Sequence, residues 1–331
     1  MDNVTEFEIF LDGLAARTMQ GGSAERGEIL RLLEPPCDSP EALILGRKAR
    51  EMAREITGNT GRIWSAIGID RSPCAMNCSF CGFGEKWGLI TEHSEWSEAD
   101  ILETAQAFVA GGASWFILRT TQFYPFERLV ELAATVRAKV PGQYRLIINT
   151  GEFGPEGARQ LLDAGAYGIY HTLRLGEGQH TCFNPEDRQT TLAAARDSGL
   201  ALTFLVEPLG PEHSNEEIAD RLIAARENEA VLCGVMARVN VKGTPFEGSE
   251  PVSEARMAQV AAVSRICGGI RMPDICAHPP SKQALAWGAN VLIVEAGANP
   301  RAGREGGEDV WKGFGMAEAG ALLRSAGYLA P

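Results

Sequence analysis

From residue 63 onward the sequence alternates short apolar runs with longer helical stretches, and it does so eight times. The runs at 63–69, 115–118, 145–148, 167–170, 200–206, 234–239, 269–272 and 290–294 read as strands. Helical stretches follow them, opening at Ser97, Ser253 and Ser281 or on a proline in the first turn (Pro185). Ala110-Gly111-Gly112, Ala164-Gly165-Ala166 and Asp197-Ser198-Gly199 stop helices before short turns into the next strand. Such alternation predicts the α/β class, and eight units predict a closed parallel (β/α)8 barrel of the TIM type over residues 61–296. Residues 1–60 read as an N-terminal helical extension, with segments at 4–14, 24–33 and 42–56. Residues 297–331 read as a C-terminal closing segment: a loop at 297–307, rich in Gly, Arg and Glu, that caps the barrel mouth, then a helix within 309–328.

In such barrels chemistry sits at the C-terminal ends of the strands. The first strand delivers Cys74-Ala-Met-Asn-Cys78-Ser-Phe-Cys81 there, followed at once by Gly82-Phe83-Gly84. Three thiolates spaced C-x3-C-x2-C on one tight loop suit three irons of a [4Fe–4S] cluster, leaving the fourth iron open to a small molecule. Zinc is the alternative, but it asks for four ligands, usually two Cys/His pairs, and no second pair with ligand spacing follows. Disulfides fit worse, because neighbours on one loop cannot satisfy the bond geometry in several pairs.

A net charge of −12 argues against a nucleic-acid binder that works by neutralising phosphates. The sequence has no run of about 18 apolar residues, the length a membrane helix needs. Its start, Met1-Asp2-Asn3-Val4-Thr5-Glu6, lacks the basic-then-apolar order of a signal peptide. The cysteines outside the loop are dispersed, which together with an oxygen-sensitive cluster points to a reducing cytoplasm.

Other residues expected at the strand ends are Arg119, Thr150, His171, Arg174, Glu207, Asn240 and Cys276. His171 reads equally as a substrate contact and as a satisfied core histidine. Arg119 and Asn240 are further substrate-contact candidates. Cys233 and Cys267 read as small buried residues, whereas Cys37, Cys182 and Cys276 are the candidates for an auxiliary iron–sulfur cluster.

The cysteine loop, with Phe80 beside its last cysteine, resembles the signature of the radical S-adenosylmethionine (SAM) superfamily. Further along come Gly88-Leu89, Tyr170-His171-x-Leu173, Arg188-x2-Thr191-Leu192, Val241-Lys242-Gly243-Thr244-Pro245-Phe246, Arg271 and Trp287-Gly288-Ala289-Asn290. In this order they resemble one branch, that of biotin synthase, methylornithine synthase, a hydrogenase-maturation enzyme and two-component lipoyl synthases. The resemblance runs from about residue 30 to 295. It implies a [4Fe–4S] cluster whose open iron chelates SAM, and reductive cleavage of SAM to a 5′-deoxyadenosyl radical. That radical takes hydrogen from a small-molecule or carrier-bound substrate. A one-electron donor such as a ferredoxin or flavodoxin is implied too, and a second radical SAM subunit is compatible with it.

Phe80, Arg174 and Glu207 fall where relatives hold SAM, and the planar guanidinium of Arg174 suits its carboxylate. Biotin synthase carries an inner [2Fe–2S] cluster; its cysteine ligands match Ile117, Ile147 and Thr203 here, none able to ligate iron. Arg271 matches that cluster's arginine ligand and is expected to bind a substrate carboxylate or fill an ion pair instead. The chain thus departs from biotin synthase itself. Sulfur insertion in cofactor biosynthesis is the expected reaction, with carbon-skeleton rearrangement or fragmentation on a single cluster as the alternative. A non-catalytic iron–sulfur or zinc protein is the reading from another class, and it leaves the polar strand-end residues without a task.

Overall fold

The computed structural model describes residues 3–301 and 314–331. Eight parallel strands form a closed ring, a TIM-type (β/α)8 barrel. They are β1 (Arg62–Gly68), β2 (Ala113–Arg119), β3 (Arg145–Asn149), β4 (Gly168–Tyr170), β5 in two pieces (Ala201–Thr203 and Val206–Leu209), β6 (Ala230–Ala237), β7 (Asp274–His278) and β8 (Val291–Gly297). The ring closes without slippage between its first and last members: β1 pairs with β8 residue for residue, from Arg62 opposite Val291 to Gly68 opposite Gly297.

Side chains alternate across this wall, and both faces are buried. Trp64, Trp115, Ile117, Ile147, Leu232, Cys276 and Ile293 pack together inside the ring. Their neighbours Ile63, Phe116, Leu118, Leu146 and Leu292 face outward into the layer of helices. Those helices are α4 (Glu98–Ala110), α5 (Phe126–Lys139), α6 (Pro155–Asp163), α7 (Pro185–Ser198), α8 (Asn215–Glu227), α9 (Glu254–Gly268) and α10 (Lys282–Ala286). Among the described residues no helix is long and apolar enough to cross a membrane.

Helices α1 (Asn3–Met19), α2 (Arg26–Leu33) and α3 (Pro40–Thr57) lie over α9, which is why every residue of α9 from Met257 to Gly268 is buried. Cys37 belongs to this outer packing. Its Sγ lies 3.2 Å from Gln259 Oε1, and Gln259 Nε2 donates to Pro35 O at 2.8 Å.

Two expectations change here. Strand seven lies at Asp274–His278, not at 269–272: Gly269 has φ +50°, and Gly269–Arg271 form one 3-10 turn below the barrel. Arg271 is therefore exposed at the end opposite the strand tips. The closing helix (α11, Met316–Ser325) stands at that same end and seals the floor. Gly61 N donates to Leu329 O at 2.7 Å, Leu329 N to Asn59 O at 2.9 Å, and Tyr328 Oη to Ala289 O at 2.7 Å. Residues 302–307 of the expected mouth loop and 309–313 of the expected helix lie outside the described residues.

Beside Tyr328 the floor holds a closed polar network. Arg265, fully buried, donates to Gly288 O, Pro273 O and Asn290 Oδ1 at 3.1, 2.7 and 2.7 Å. Asn290 Nδ2 donates to Asp274 Oδ1 at 2.8 Å, and Arg62 Nε reaches the same oxygen at 3.0 Å.

Candidate active site

At the other end of the barrel the strand tips surround a cavity of about 1330 Å³, part of it open to solvent. The loop after β1 forms one wall and carries Cys74, Cys78 and Cys81, all of which line the cavity. Backbone bonds close this loop on itself: Cys74 N donates to Phe83 O at 2.7 Å and Glu85 N to Cys74 O at 3.1 Å. Asn77 takes φ +44°, a left-handed conformation that asparagine tolerates, and its Oδ1 accepts from Lys86 N at 2.9 Å. Gly84 is needed for space, since a Cβ there would come within 2.2 Å of the Trp87 indole nitrogen. That indole nitrogen donates to Cys78 O at 3.3 Å.

Two other loops hold the cysteine loop in place through main-chain bonds. Ser79 N donates to His180 O at 2.8 Å and Cys182 N to Met76 O at 3.0 Å, both into the loop after β4. Gly82 N donates to Pro300 O at 2.6 Å, into the segment after β8.

Burial raises all three thiols above their ordinary range, Cys81 to about 11. The donor set fits a cluster: three sulfurs on one loop, with no other cysteine and no histidine among the described residues of the cavity wall. Among the described residues no group of three His, Cys, Asp or Glu side chains could hold a single ion.

Around the rest of the mouth the charges come in sets. Arg174, after β4, lies 3.7 Å from Glu177 and 4.9 Å from the Phe183 ring centroid, and its Nη1 has no hydrogen-bond partner. Arg188 holds Glu177 from behind at 3.0 Å. Burial pulls the Arg174 guanidinium down, but Glu177 and its other neighbours outweigh it and keep it firmly protonated. Glu207, after the first piece of β5, accepts from Tyr170 Oη; burial raises its carboxyl, against the pull of Arg174.

On the opposite wall Arg119 Nη1 donates to Glu295 Oε1 at 2.5 Å, and Arg301 binds the other oxygen of that carboxylate. Burial alone would raise Glu295, yet Arg301 and Arg119 hold it well below the usual carboxylate range. His278 Nε2 lies 3.4 Å from the same group.

Of the residues singled out in the sequence, Cys74, Cys78, Cys81, Phe80, Arg119, Thr150, Arg174 and Glu207 line one cavity. The others do not. His171 points away from it: strand β4 presents Tyr170 inward, leaving His171 buried behind the wall with Nε2 unpartnered. Burial and the neighbouring Arg188 and Arg174 push its pKa well below 6.5. Asn240 lies outside the cavity wall and accepts from Arg238 Nε at 3.0 Å. Arg271 is at the floor side. Cys37, Cys182 and Cys276 are not brought together: Cys37 packs on α9, Cys182 is exposed beside the cysteine loop, and Cys276 is buried inside the barrel. Sequence reasoning missed Asp70, Tyr170, Arg238, Glu295 and Arg301, all of which line the cavity.

No family model matches the chain. It is similar to the biotin synthase of Persephonella marina, 23% identical over 318 residues that cover 91% of this chain and 92% of that protein. Likeness extends to the biotin synthase of Nocardioides sp. (26% over 294 residues, 83% and 76% covered). It extends also to that of Granulibacter bethesdensis (28% over 252 residues, 72% and 77% covered). Among solved structures, methylornithine synthase superposes with a TM-score of 0.80 at 17% identity, covering 96% of this chain and 97% of that one. The FeFe-hydrogenase maturase HydG from Carboxydothermus hydrogenoformans gives 0.75 at 15%, covering 99% and 85%. These two share the fold.

Proposed function

We propose that this chain, which belongs to the biotin-synthase-like branch of the radical SAM superfamily, is an enzyme that works with a single cluster and rearranges or fragments its substrate. The observation that carries this reading is the contrast inside the barrel. Three cysteines open onto the cavity above, while Trp64, Trp115, Ile117, Ile147, Leu232 and Ile293 fill the ring below with apolar side chains. Cys276 is the one cysteine in that packing, and an inner sulfur-donating cluster needs several. This supports rearrangement or fragmentation over sulfur insertion.

Cys74, Cys78 and Cys81 would hold the [4Fe–4S] cluster. Bound together, cluster and SAM supply a one-electron cleavage that yields methionine and a 5′-deoxyadenosyl radical. Arg174 is suited to the SAM carboxylate: it is buried, charged, on the cavity wall, and has an unpartnered nitrogen. Glu207 and Phe80 line the same wall. The apolar ring interior under the cavity excludes water from a radical that water-borne reductants would quench. Electrons would come from a one-electron donor such as a ferredoxin or flavodoxin.

The test is iron and sulfide per chain after anaerobic reconstitution, for the native protein and a Cys74→Ala/Cys78→Ala/Cys81→Ala variant. About four irons natively and near none in the variant fits a single cluster. About eight natively with four surviving would restore sulfur insertion, and zinc in place of iron would end the radical reading.

A further inference from the structure

A short antiparallel ribbon runs beside the cysteine loop: Asp70 pairs with Glu95 and Arg71 with Ser94. Continued by one residue, this register sets Ser72 opposite His93. Their side chains meet, Ser72 Oγ lying 2.5 Å from His93 Nδ1. Ser72 Oγ also donates to Asp70 Oδ2 at 3.4 Å. Asp70, 3% exposed, lines the cavity at the strand tips, whereas the side chain of His93 is 56% exposed. A separate cleft of about 360 Å³, partly open to solvent, is lined by Asp70, Ser72 and His93 alike. Asp70 thus stands between the cavity and a hydrogen-bonded way out of it.

Neutral donors divide the two oxygens of Asp70. Thr121 N donates to Oδ1 at 2.7 Å, while Thr121 Oγ1 and Ser72 Oγ share Oδ2. Ser72 has one proton and two partners. While it gives that proton to Asp70, His93 has to donate from Nδ1, and the chain points inward. If Asp70 carries a proton on Oδ2, Ser72 receives it and turns its own hydrogen to Nδ1. The chain then points outward, with His93 protonated on Nε2. The charged groups around His93 are Glu92, beside it in the chain, and Glu95, 3.7 Å from Nε2. Glu95 is itself held by Tyr124 Oη at 2.6 Å and by Arg128 of α5 at 2.8 Å. Arg71, between Asp70 and Ser72, lines neither the cleft nor the cavity.

We propose that Asp70, Ser72 and His93 form a proton path between the cavity and solvent. Outward, Asp70 takes a proton from a bound molecule. A proton passes from Oδ2 to Ser72 Oγ as the Ser72 hydrogen passes to His93 Nδ1, and His93 releases its Nε2 proton to water. Inward, each step reverses. Ser72 stays a neutral hydroxyl, and no electron moves. The path rests on the radical reading for its use. A carbon radical beside a hydroxyl or ammonium group makes that group strongly acidic, and a base within reach lets the neighbouring bond rearrange or break.

The experiment follows the tautomer of His93 by NMR of ring-nitrogen-15 histidine. The protein is reconstituted with its cluster oxidised and held at about pH 9, above the ordinary histidine range. The chain has five histidines, and His93→Gln identifies the signals of this one. Native His93 carries its proton on Nδ1. Asp70→Asn imitates a protonated Asp70, because Thr121 N holds the amide oxygen and turns the amide nitrogen toward Ser72. The His93 proton then moves to Nε2. Adding Ser72→Ala to Asp70→Asn changes the Nδ1 resonance, since Nδ1 loses its donor. Ser72→Ala alone also moves the proton to Nε2, which keeps the path testable where Asp70→Asn does not fold. A merely structural Asp70 leaves the tautomer alone. The path is overturned if the native proton sits on Nε2 or if either single variant leaves it on Nδ1. It is overturned too if Nδ1 in Asp70→Asn is indifferent to Ser72→Ala. Iron counted on the same samples separates the two readings. The switch seen in a chain that takes up no iron would end the radical reading and leave the path standing. About four irons without the switch would do the reverse.

Discussion

The two ends of this barrel handle buried polar groups to different degrees. At the floor, Arg265 makes three hydrogen bonds, Asn290 uses both ends of its amide, Asp274 receives Arg62, and one nitrogen, Arg50 Nη1 beside Tyr328, is left without a partner. At the mouth, Arg174 Nη1, Arg238 Nη2 and Trp64 Nε1 are buried without partners, and Asp70 has no cation. Both ends belong to the same ring of strands, so the difference lies in what each end is for. Satisfied groups cement the floor. Unsatisfied ones at the mouth are held ready for something that is not protein.

The strongest attempt to break this contrast is Arg265→Ala. It leaves the Gly288 and Pro273 carbonyls without this donor, Asn290 Oδ1 with Ile275 N alone and a cavity in the floor, so stability falls by about 3–5 kcal/mol, read from the urea midpoint. A loss under about 1 kcal/mol would mean the floor is no better cemented than the mouth. Arg174→Gln is the mirror case. SAM affinity of the reconstituted protein, by equilibrium dialysis, drops roughly ten- to a hundredfold, while stability moves by less than about 1 kcal/mol.

A smaller effect concerns pH. His171 is held well below 6.5 by burial and the nearby Arg188 and Arg174, so the unfolded chain takes up the proton first. Its contribution to stability is complete above pH 6.5 and drains away as pH falls below it, by at most about 1.4 kcal/mol per pH unit. His171→Gln flattens that part of a stability profile measured between pH 7.5 and 5.5; an unchanged slope would place the titration elsewhere.

The sequence was most readable where local rules dominate. Eight strand–helix units, the cap at Ser253, the proline opening α7 and the cysteine loop at a strand tip all follow from neighbours in the chain. It was least readable where one residue of register decides. Strand β4 has three residues, and reading it one place off turned His171 inward in place of Tyr170. Gly269-Ile270-Arg271-Met272 has a strand's composition, yet Gly269 at φ +50° and the end of α9 turn it into a helical step. Asp70, Arg238, Glu295 and Arg301 left no local mark, because barrel closure alone assembles them around one cavity.

The clamps on the cysteine loop carry a consequence for its history. His180, Cys182 and Pro300 hold Ser79, Met76 and Gly82 through peptide groups, which every residue at these positions supplies in the acceptor role and all but proline in the donor role. Side chains there are free to drift while the loop keeps its seat. A scaffold fastened by main chain can thus keep its shape through wide change of sequence. Grafting this loop onto another barrel would accordingly require carrying over three backbone paths, and very little sequence.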